Sequence, residues 1–139
     1  MVNLRLHDGA TTLILVVDDE IAILHLVKSI LQDAGYQVRL ANRAADALRI
    51  LGEGIPPQLL LTDIVMPGTS GIALAANAHR LLPDLPVIFM TGYAHDYEDE
   101  LTGSVCLKKP FTLAQLLLAV SDVLSAPPKA SRGGGAPQQ

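Results

Sequence analysis

Short runs of apolar residues alternate with longer amphipathic segments along most of the chain. Apolar runs of four to eight residues separated by helical patterns are typical of buried parallel strands, because helices cover such strands on both faces. The second run alternates polar and apolar residues, which is typical of an edge strand. Five strands are predicted, at about 13–17, 37–40, 58–62, 86–90 and 105–107.

The segments between these strands have the spacing of amphipathic helices. The first helix is expected to bury Ile23, Leu26, Val27, Ile30, Leu31 and Ala34. Four further helices are predicted: one up to about Leu51, then about 70–82, about 96–101 and about 113–124. Asn42 and Thr112 are the expected caps of the second and last helices. The alternation predicts an α/β fold, a doubly wound (βα)₅ unit with a five-stranded parallel sheet and right-handed crossovers.

The composition predicts one folded domain with an unstructured segment on each side. The chain has 139 residues, of which 50% are hydrophobic and 17% charged, so a packed core is expected. We predict a flexible segment at 1–11, a folded domain at 12–125, and a disordered tail or linker at 126–139. The formal charge of −4 disfavours direct nucleic-acid binding. No apolar run is long enough to span a membrane, so a cytoplasmic location is expected.

Polar side chains follow four of the five predicted strands, where ligands bind in open α/β sheets. These are Asp18 and Asp19, then Asp63, Thr91 and Lys109. Three crowded carboxylates repel one another unless a cation lies between them, and Mg²⁺ takes oxygen ligands of this kind. A carboxylate is also a nucleophile toward phosphorus. The alternative is that Asp18, Asp19 and Glu20 merely favour the N-terminus of the first helix through its dipole.

The order and spacing of four motifs resemble the receiver domain of bacterial two-component response regulators, over about 12–125. The motifs are Val-Val-Asp-Asp-Glu at 16–20, Asp-Ile-Val-Met-Pro at 63–67 with Gly71, Met-Thr-Gly at 90–92, and Lys-Pro-Phe at 109–111. The resemblance implies the flavodoxin-like strand order 2-1-3-4-5. It also implies that Asp63 is the phosphoacceptor, and that Thr91, Gly92 and Lys109 lie against the phosphoryl group.

The resemblance further implies the metal site and the partners. Mg²⁺ would be held by Asp19, Asp63 and the Val65 backbone carbonyl, with Asp18 acting largely through water. The phosphoryl donor would be a histidine kinase or a histidine phosphotransfer domain. No dedicated enzyme activity is implied, only catalysis of the domain's own phosphorylation and slow autodephosphorylation. A homodimer could form through the fourth helix, fifth strand and last helix, or through the last helix alone.

Two positions depart from the family pattern. Cys106 stands where the family usually has a Tyr or Phe that couples to the threonine, and Tyr93 or Tyr97 would have to replace it. From its apolar neighbours, Cys106 is expected to be a small buried residue. Val65 is apolar where many relatives place an amide or acid that orients water, which predicts a long-lived phosphoaspartate.

Two other functions remain open at this point. A haloacid-dehalogenase-like phosphohydrolase also uses an Asp nucleophile, Mg²⁺, a Thr and a Lys, but it needs a second carboxylate where Val65 stands. A degenerate adaptor would bind its partner constitutively, without phosphate. The sequence does not separate a stand-alone receiver from a part of a larger response regulator or hybrid histidine kinase.

Overall fold

A computed structural model describes residues 11–92, 101 and 103–126 of the chain. Its elements are β1 Leu13–Val17, α1 Ile21–Asp33, β2 Gln37–Ala41, α2 Ala44–Leu51, β3 Leu59–Asp63, α3 Gly71–Leu81, β4 Val87–Thr91, β5 Val105–Lys108 and α4 Leu113–Ser125. All strand pairs are parallel, and the sheet order is β2-β1-β3-β4-β5. The predicted fold class and strand order are confirmed. The helix predicted over 96–101 lies, apart from Leu101, outside the described residues.

Alternate residues of the strands pack into two separate hydrophobic cores, because successive side chains of a strand point to opposite faces. Ile14 and Val16 of β1 pack with α1 and α4, whereas Leu15 and Val17 pack with α2 and α3. Every residue of β3 is buried. The central strands are therefore covered on both faces, as a doubly wound sheet requires.

Two details of the helices differ from the sequence-based expectations. The Asn42 cap is wrong: α2 begins after Arg43, which makes no side-chain cap hydrogen bond. Leu26 and Ala34 are also not buried: 54% of Leu26 is exposed, and Ala34, which follows the last residue of α1, is exposed as well. The buried stripe of α1 runs through Leu24, Val27 and Leu31, and Leu26 lies about 100° from Val27 around the helix. The error was one of phase within the correct helix.

The last helix begins as expected. The Thr112 hydroxyl accepts a hydrogen bond from the Gln115 N–H at 3.0 Å, and the Gln115 side chain accepts one from the Thr112 N–H at 2.8 Å. This reciprocal pair satisfies two N–H groups that a helix start leaves without partners. The Thr112 cap is confirmed.

The predicted flanks at 1–11 and 126–139 fall almost entirely outside the described residues, so those domain boundaries stay predictions. Within the described ranges, no helix combines the length and the apolar character that a bilayer crossing would demand.

Candidate functional site

The polar residues singled out from the sequence lie at one edge of the sheet. Asp63 and Thr91 are the last residues of β3 and β4, and Asp18 and Lys109 each follow the last residue of their strands. The parallel register aligns these ends, since Asp63 pairs with Met90 and Thr91 pairs with Lys108. The edge thus collects carboxylates from two strands, a hydroxyl from a third and an ammonium from a fourth.

Asp18 is fully buried and both of its carboxylate oxygens have partners. Its Oδ2 accepts a hydrogen bond from Lys109 Nζ at 2.9 Å, and its Oδ1 accepts one from the Glu20 N–H at 2.9 Å. A buried charge is tolerated only when it is paired in this way. The Asp18 N–H also donates to the Ala41 carbonyl, so this carboxylate is held at a fixed point of the edge.

Lys109 lies between three carboxylates. Its Nζ is 3.5 Å from Asp63 Oδ1 and 3.6 Å from Glu20 Oε1, in addition to the contact with Asp18. Its backbone N–H donates to the Thr91 carbonyl at 2.9 Å, and the peptide bond to Pro110 is cis. Burial acts to lower the pKa of Lys109, but the Asp18 hydrogen bond and the surrounding negative charges outweigh it and raise that pKa. The side chain is therefore a firmly charged cation.

The surroundings of Asp63 strongly raise the pKa of its carboxyl group. Only 6% of it is exposed, and burial raises its pKa to about 6, with the charges of Asp18 and Asp19 adding to the rise. The Lys109 charge and the Ile64 N–H hydrogen bond lower it in part. Without a further cation, the edge holds more negative charge than Lys109 alone compensates.

The backbone of Asp63 is fixed by the start of α3. A Cβ added to Gly71 would lie 1.9 Å from the Asp63 carbonyl oxygen, so only glycine fits there. The Gly71 N–H donates to the Ile64 carbonyl at 2.8 Å. Gly68 has a φ of +80°, which glycine adopts most readily, and the Ser70 hydroxyl caps α3 by accepting from the Ala73 N–H. The loop after β3 therefore packs directly on Asp63.

Three carboxylates at this edge could hold a metal ion. One oxygen each from Asp18, Asp19 and Asp63 lies within 4.8 Å of the other two. Two oxygens bound to one Mg²⁺ are at most about 4 Å apart, so a small adjustment would let all three coordinate it. Hard carboxylate oxygens and uncompensated negative charge both suit a divalent cation. The donor set fits Mg²⁺.

The other sequence-predicted residues lie at or just after the ends of β3 and β4. Thr91 is fully buried, whereas Val65, two residues after β3, is 43% exposed. Gly92 is exposed, and a Cβ there would meet no atom within 4 Å in the described part of the chain. The structure thus explains the requirement for glycine at Gly71 on steric grounds, and shows no such crowding at Gly92.

Cys106 departs from the expectation of full burial. It is half-buried against a cluster that includes Ile64, Ala75 and Phe89, and burial raises the pKa of its thiol. A thiol of raised pKa holds less of the reactive thiolate. Tyr93 and Tyr97, named as possible replacements for an aromatic residue at this position, lie outside the described residues.

One member of the site was not identified from the sequence. Glu20 was considered only as part of an acidic helix start, yet its carboxylate is an ion-pair partner of Lys109. Its place directly after Asp18 and Asp19 was the available signal, but its contact with a residue 89 positions away depends on the fold.

These features place the chain among known proteins. Its residues 14–121 match the family described as the response regulator receiver domain. The chain belongs to the response regulator receiver domain family. The fold and the acidic edge agree with that assignment.

Several curated proteins are similar to the chain. The response regulator receiver protein CpdR of Brucella abortus is 37% identical over 117 residues, which cover 81% of this chain and 97% of CpdR. The transcriptional regulator NtrC of Bradyrhizobium is 36% identical, and the sensor kinase CckA of Brucella abortus is 34% identical. The chain spans 24% of NtrC and 13% of CckA. The match therefore concerns a receiver domain within proteins of different lengths.

Solved structures agree in fold. A response regulator receiver protein from Sinorhizobium medicae has a TM-score of 0.78 and 32% identity, covering 85% of this chain and 98% of that one. TrrA from Thermotoga maritima, solved in complex with Mg²⁺ and BeF, has a TM-score of 0.74 and 32% identity, covering 81% and 99% of the two chains.

Proposed function

We propose that the chain is a phosphorylation-controlled receiver in which Asp63 accepts a phosphoryl group from a histidine kinase or a histidine phosphotransfer domain. The P–N bond of the phosphohistidine would break, its electron pair would stay on the imidazole nitrogen, and a P–O bond to an Asp63 oxygen would form. The observation that carries the proposal is the convergence of Asp63, two further carboxylates and Lys109 at one edge. The encounter would take place in the cytoplasm.

The other residues would prepare Asp63 for this step. Asp18, Asp19, Asp63 and the Val65 carbonyl would hold Mg²⁺, which neutralises carboxylate and phosphoryl charge when bound. Lys109 would supply a second cation 3.5 Å from Asp63. The Thr91 hydroxyl and the Gly92 backbone would contact the phosphoryl oxygens and stabilise the charge that develops on them.

The output would be a change in partner affinity. Phosphorylation would favour one of two arrangements of the surface around β5 and α4, which binds a partner or a second copy of the chain more tightly. Val105 on β5 and Leu118 on α4 are large exposed apolar residues of this surface, and such residues favour association. No direct contact with nucleic acid is proposed.

The deciding experiment is intact mass after incubation with acetyl phosphate and Mg²⁺. The wild-type chain should gain one phosphoryl group, whereas Asp63→Asn should gain none because its amide is not a nucleophile. Asp33→Asn, an exposed residue at the end of α1, is the matched control and should gain one group. An Asp63→Asn variant phosphorylated like the wild type would refute the proposal, and an unmodified wild type would favour a phosphate-independent adaptor.

The phosphorylated form should be long-lived. Val65 offers no polar group to orient a water molecule toward the phosphorus, so hydrolysis lacks a positioned nucleophile. Val65→Asn should shorten the half-life, measured by the decay of the phosphorylated mass in Mg²⁺ without a phosphatase. A wild-type half-life of a few seconds would contradict this expectation.

A further inference from the structure

Lys109 has as many carboxylate partners as it has N–H donors. An ammonium group carries three donors, and carboxylate oxygens from Asp18, Asp63 and Glu20 lie 2.9, 3.5 and 3.6 Å from Nζ. A phosphoryl oxygen that arrives at Asp63 needs one of these donors. Only the Asp18 contact is a hydrogen bond, so the longer ion pairs with Asp63 and Glu20 are the ones that a phosphoryl oxygen can replace.

The three carboxylates differ in how easily they can leave. Asp18 is fully buried, closest to Nζ and held through both oxygens. Asp63 is the acceptor itself. Glu20 has the longest contact, and its side chain is 66% exposed, so water can replace Lys109 as its partner at little cost. Glu20 is the partner that can be displaced.

The position of Glu20 is nevertheless fixed by its backbone. Its N–H donates to Asp18 Oδ1, and its carbonyl accepts from the N–H groups of Ile23 and Leu24 at the start of α1. Although Glu20 is the N-cap residue, its side chain makes no cap hydrogen bond. The carboxylate is thus free of a helix-capping role, and it contacts Lys109 instead.

We propose that Glu20 is a positioning residue that holds Lys109 in the unphosphorylated state and slows the capture of a phosphoryl group. This inference rests on the proposed function of Asp63. Glu20 would compete with the incoming phosphoryl oxygens for one ammonium donor, without touching the phosphorus or the metal ion. Its loss should leave Lys109 paired with Asp18 and Asp63, with no third carboxylate competing for the ammonium group.

Two substitutions separate this contact from the effect of charge alone. Glu20→Gln removes the negative charge, whereas Glu20→Asp keeps the charge but shortens the side chain by one methylene group. Both should increase the initial rate of phosphorylation by acetyl phosphate in Mg²⁺ by about two- to fivefold, the size expected for an exposed ion pair. Asp33→Asn changes the net charge by the same amount as Glu20→Gln about 20 Å along α1, and it should have the wild-type rate.

A second measurement reports the contact without phosphorylation. The exchange of the Lys109 ammonium protons with water, followed by NMR in the absence of donor, should be faster in both Glu20 variants than in wild type. High salt should bring the rates closer together, because it screens the exposed partner. A purely structural role of Glu20 would change neither the proton exchange nor its salt dependence.

The outcomes are distinguishable. If Glu20→Asp has the wild-type rate while Glu20→Gln is faster, only the field of the charge matters and the inference is overturned. Unchanged ammonium exchange in both variants overturns it as well. A wild-type chain that takes no phosphoryl group overturns the proposed function and the kinetic part of this inference together, whereas equal rates in phosphorylated wild-type and variant chains overturn the inference alone.

Discussion

The two halves of the candidate site, at the ends of β1 and β3 and at the ends of β4 and β5, differ in how tightly they are packed. In the β1–β3 half, Asp18 and Asp63 are buried, and the Gly71 backbone lies so close to the Asp63 carbonyl that a Cβ does not fit. In the β4–β5 half, no described residue comes within 4 Å of a Cβ added at Gly92, and Cys106 is only half-buried. The half that would accept the phosphoryl group is fixed by backbone contacts. Among the described residues, the half that would respond to it is less tightly packed at these two positions.

The largest expected effect separates the two glycines. Gly71→Ala would force its methyl group against the Asp63 backbone, which should lower the free energy of unfolding by more than about 3 kcal/mol and impair phosphorylation. Gly92→Ala should change it by less than about 1 kcal/mol, since no described atom crowds that position. Denaturant unfolding of both variants checks this contrast. Equal losses of stability in the two variants would show that the halves are not packed differently.

A second test measures how the charge of Asp63, in the β1–β3 half, affects the stability of the fold. Because the pKa of Asp63 is raised to about 6, the folded chain binds more protons than the unfolded chain between about pH 4 and pH 6. In metal-free buffer, stability should therefore fall as pH rises through that range, by on the order of 2 kcal/mol, and then level off.

The matched variant for this test is Asp63→Asn, which should lack that part of the pH dependence. The free energy of unfolding of the wild type and of Asp63→Asn is measured at pH 4.5 and pH 7 in the presence of a chelator. Added Mg²⁺ should stabilise the wild type more at pH 7 than at pH 4.5, because it competes with protons for the carboxylate. A wild-type pH profile identical to that of Asp63→Asn would contradict the expected crowding of charge.

The smallest expected effect concerns Cys106. Its side chain lines a groove together with Phe89, Val105 and His79, so a larger ring could extend along that groove. Cys106→Phe should change the free energy of unfolding by no more than about 1 kcal/mol. Thermal or chemical unfolding checks this value, and a loss of several kcal/mol would mean that the β4–β5 half is as tightly packed as the other.

Much of the fold was predictable because apolar runs and helical spacing act locally. The five strands and their order followed from short apolar runs and from the resemblance, with strand ends shifted by one residue in several cases. Leu26 shows the limit of this reasoning. Spacing identifies an amphipathic helix, but which of two neighbouring stripes faces the sheet depends on how the helix is docked.

The membership of the site was predictable for a related reason. The ends of parallel strands meet at one edge, so Asp18, Asp63, Thr91 and Lys109 had to be neighbours if the strands were right. Contacts that depend on side-chain reach were not predictable in the same way. The approach of Gly71 to Asp63 and of Glu20 to Lys109 follows from the path of loops, which the sequence pattern leaves open.

The complete burial of β3 has a consequence for the alignment of the strands. A strand with apolar side chains on both faces could shift its register by one residue and still bury apolar side chains. Its hydrophobicity alone therefore does not determine the register. Such a slip toward the interior would drag the Asp63 carboxylate into a dry environment without Lys109, at a prohibitive cost. The same carboxylate that is proposed to accept the phosphoryl group would thereby also oppose this slip of β3 and help to fix the alignment of the strands.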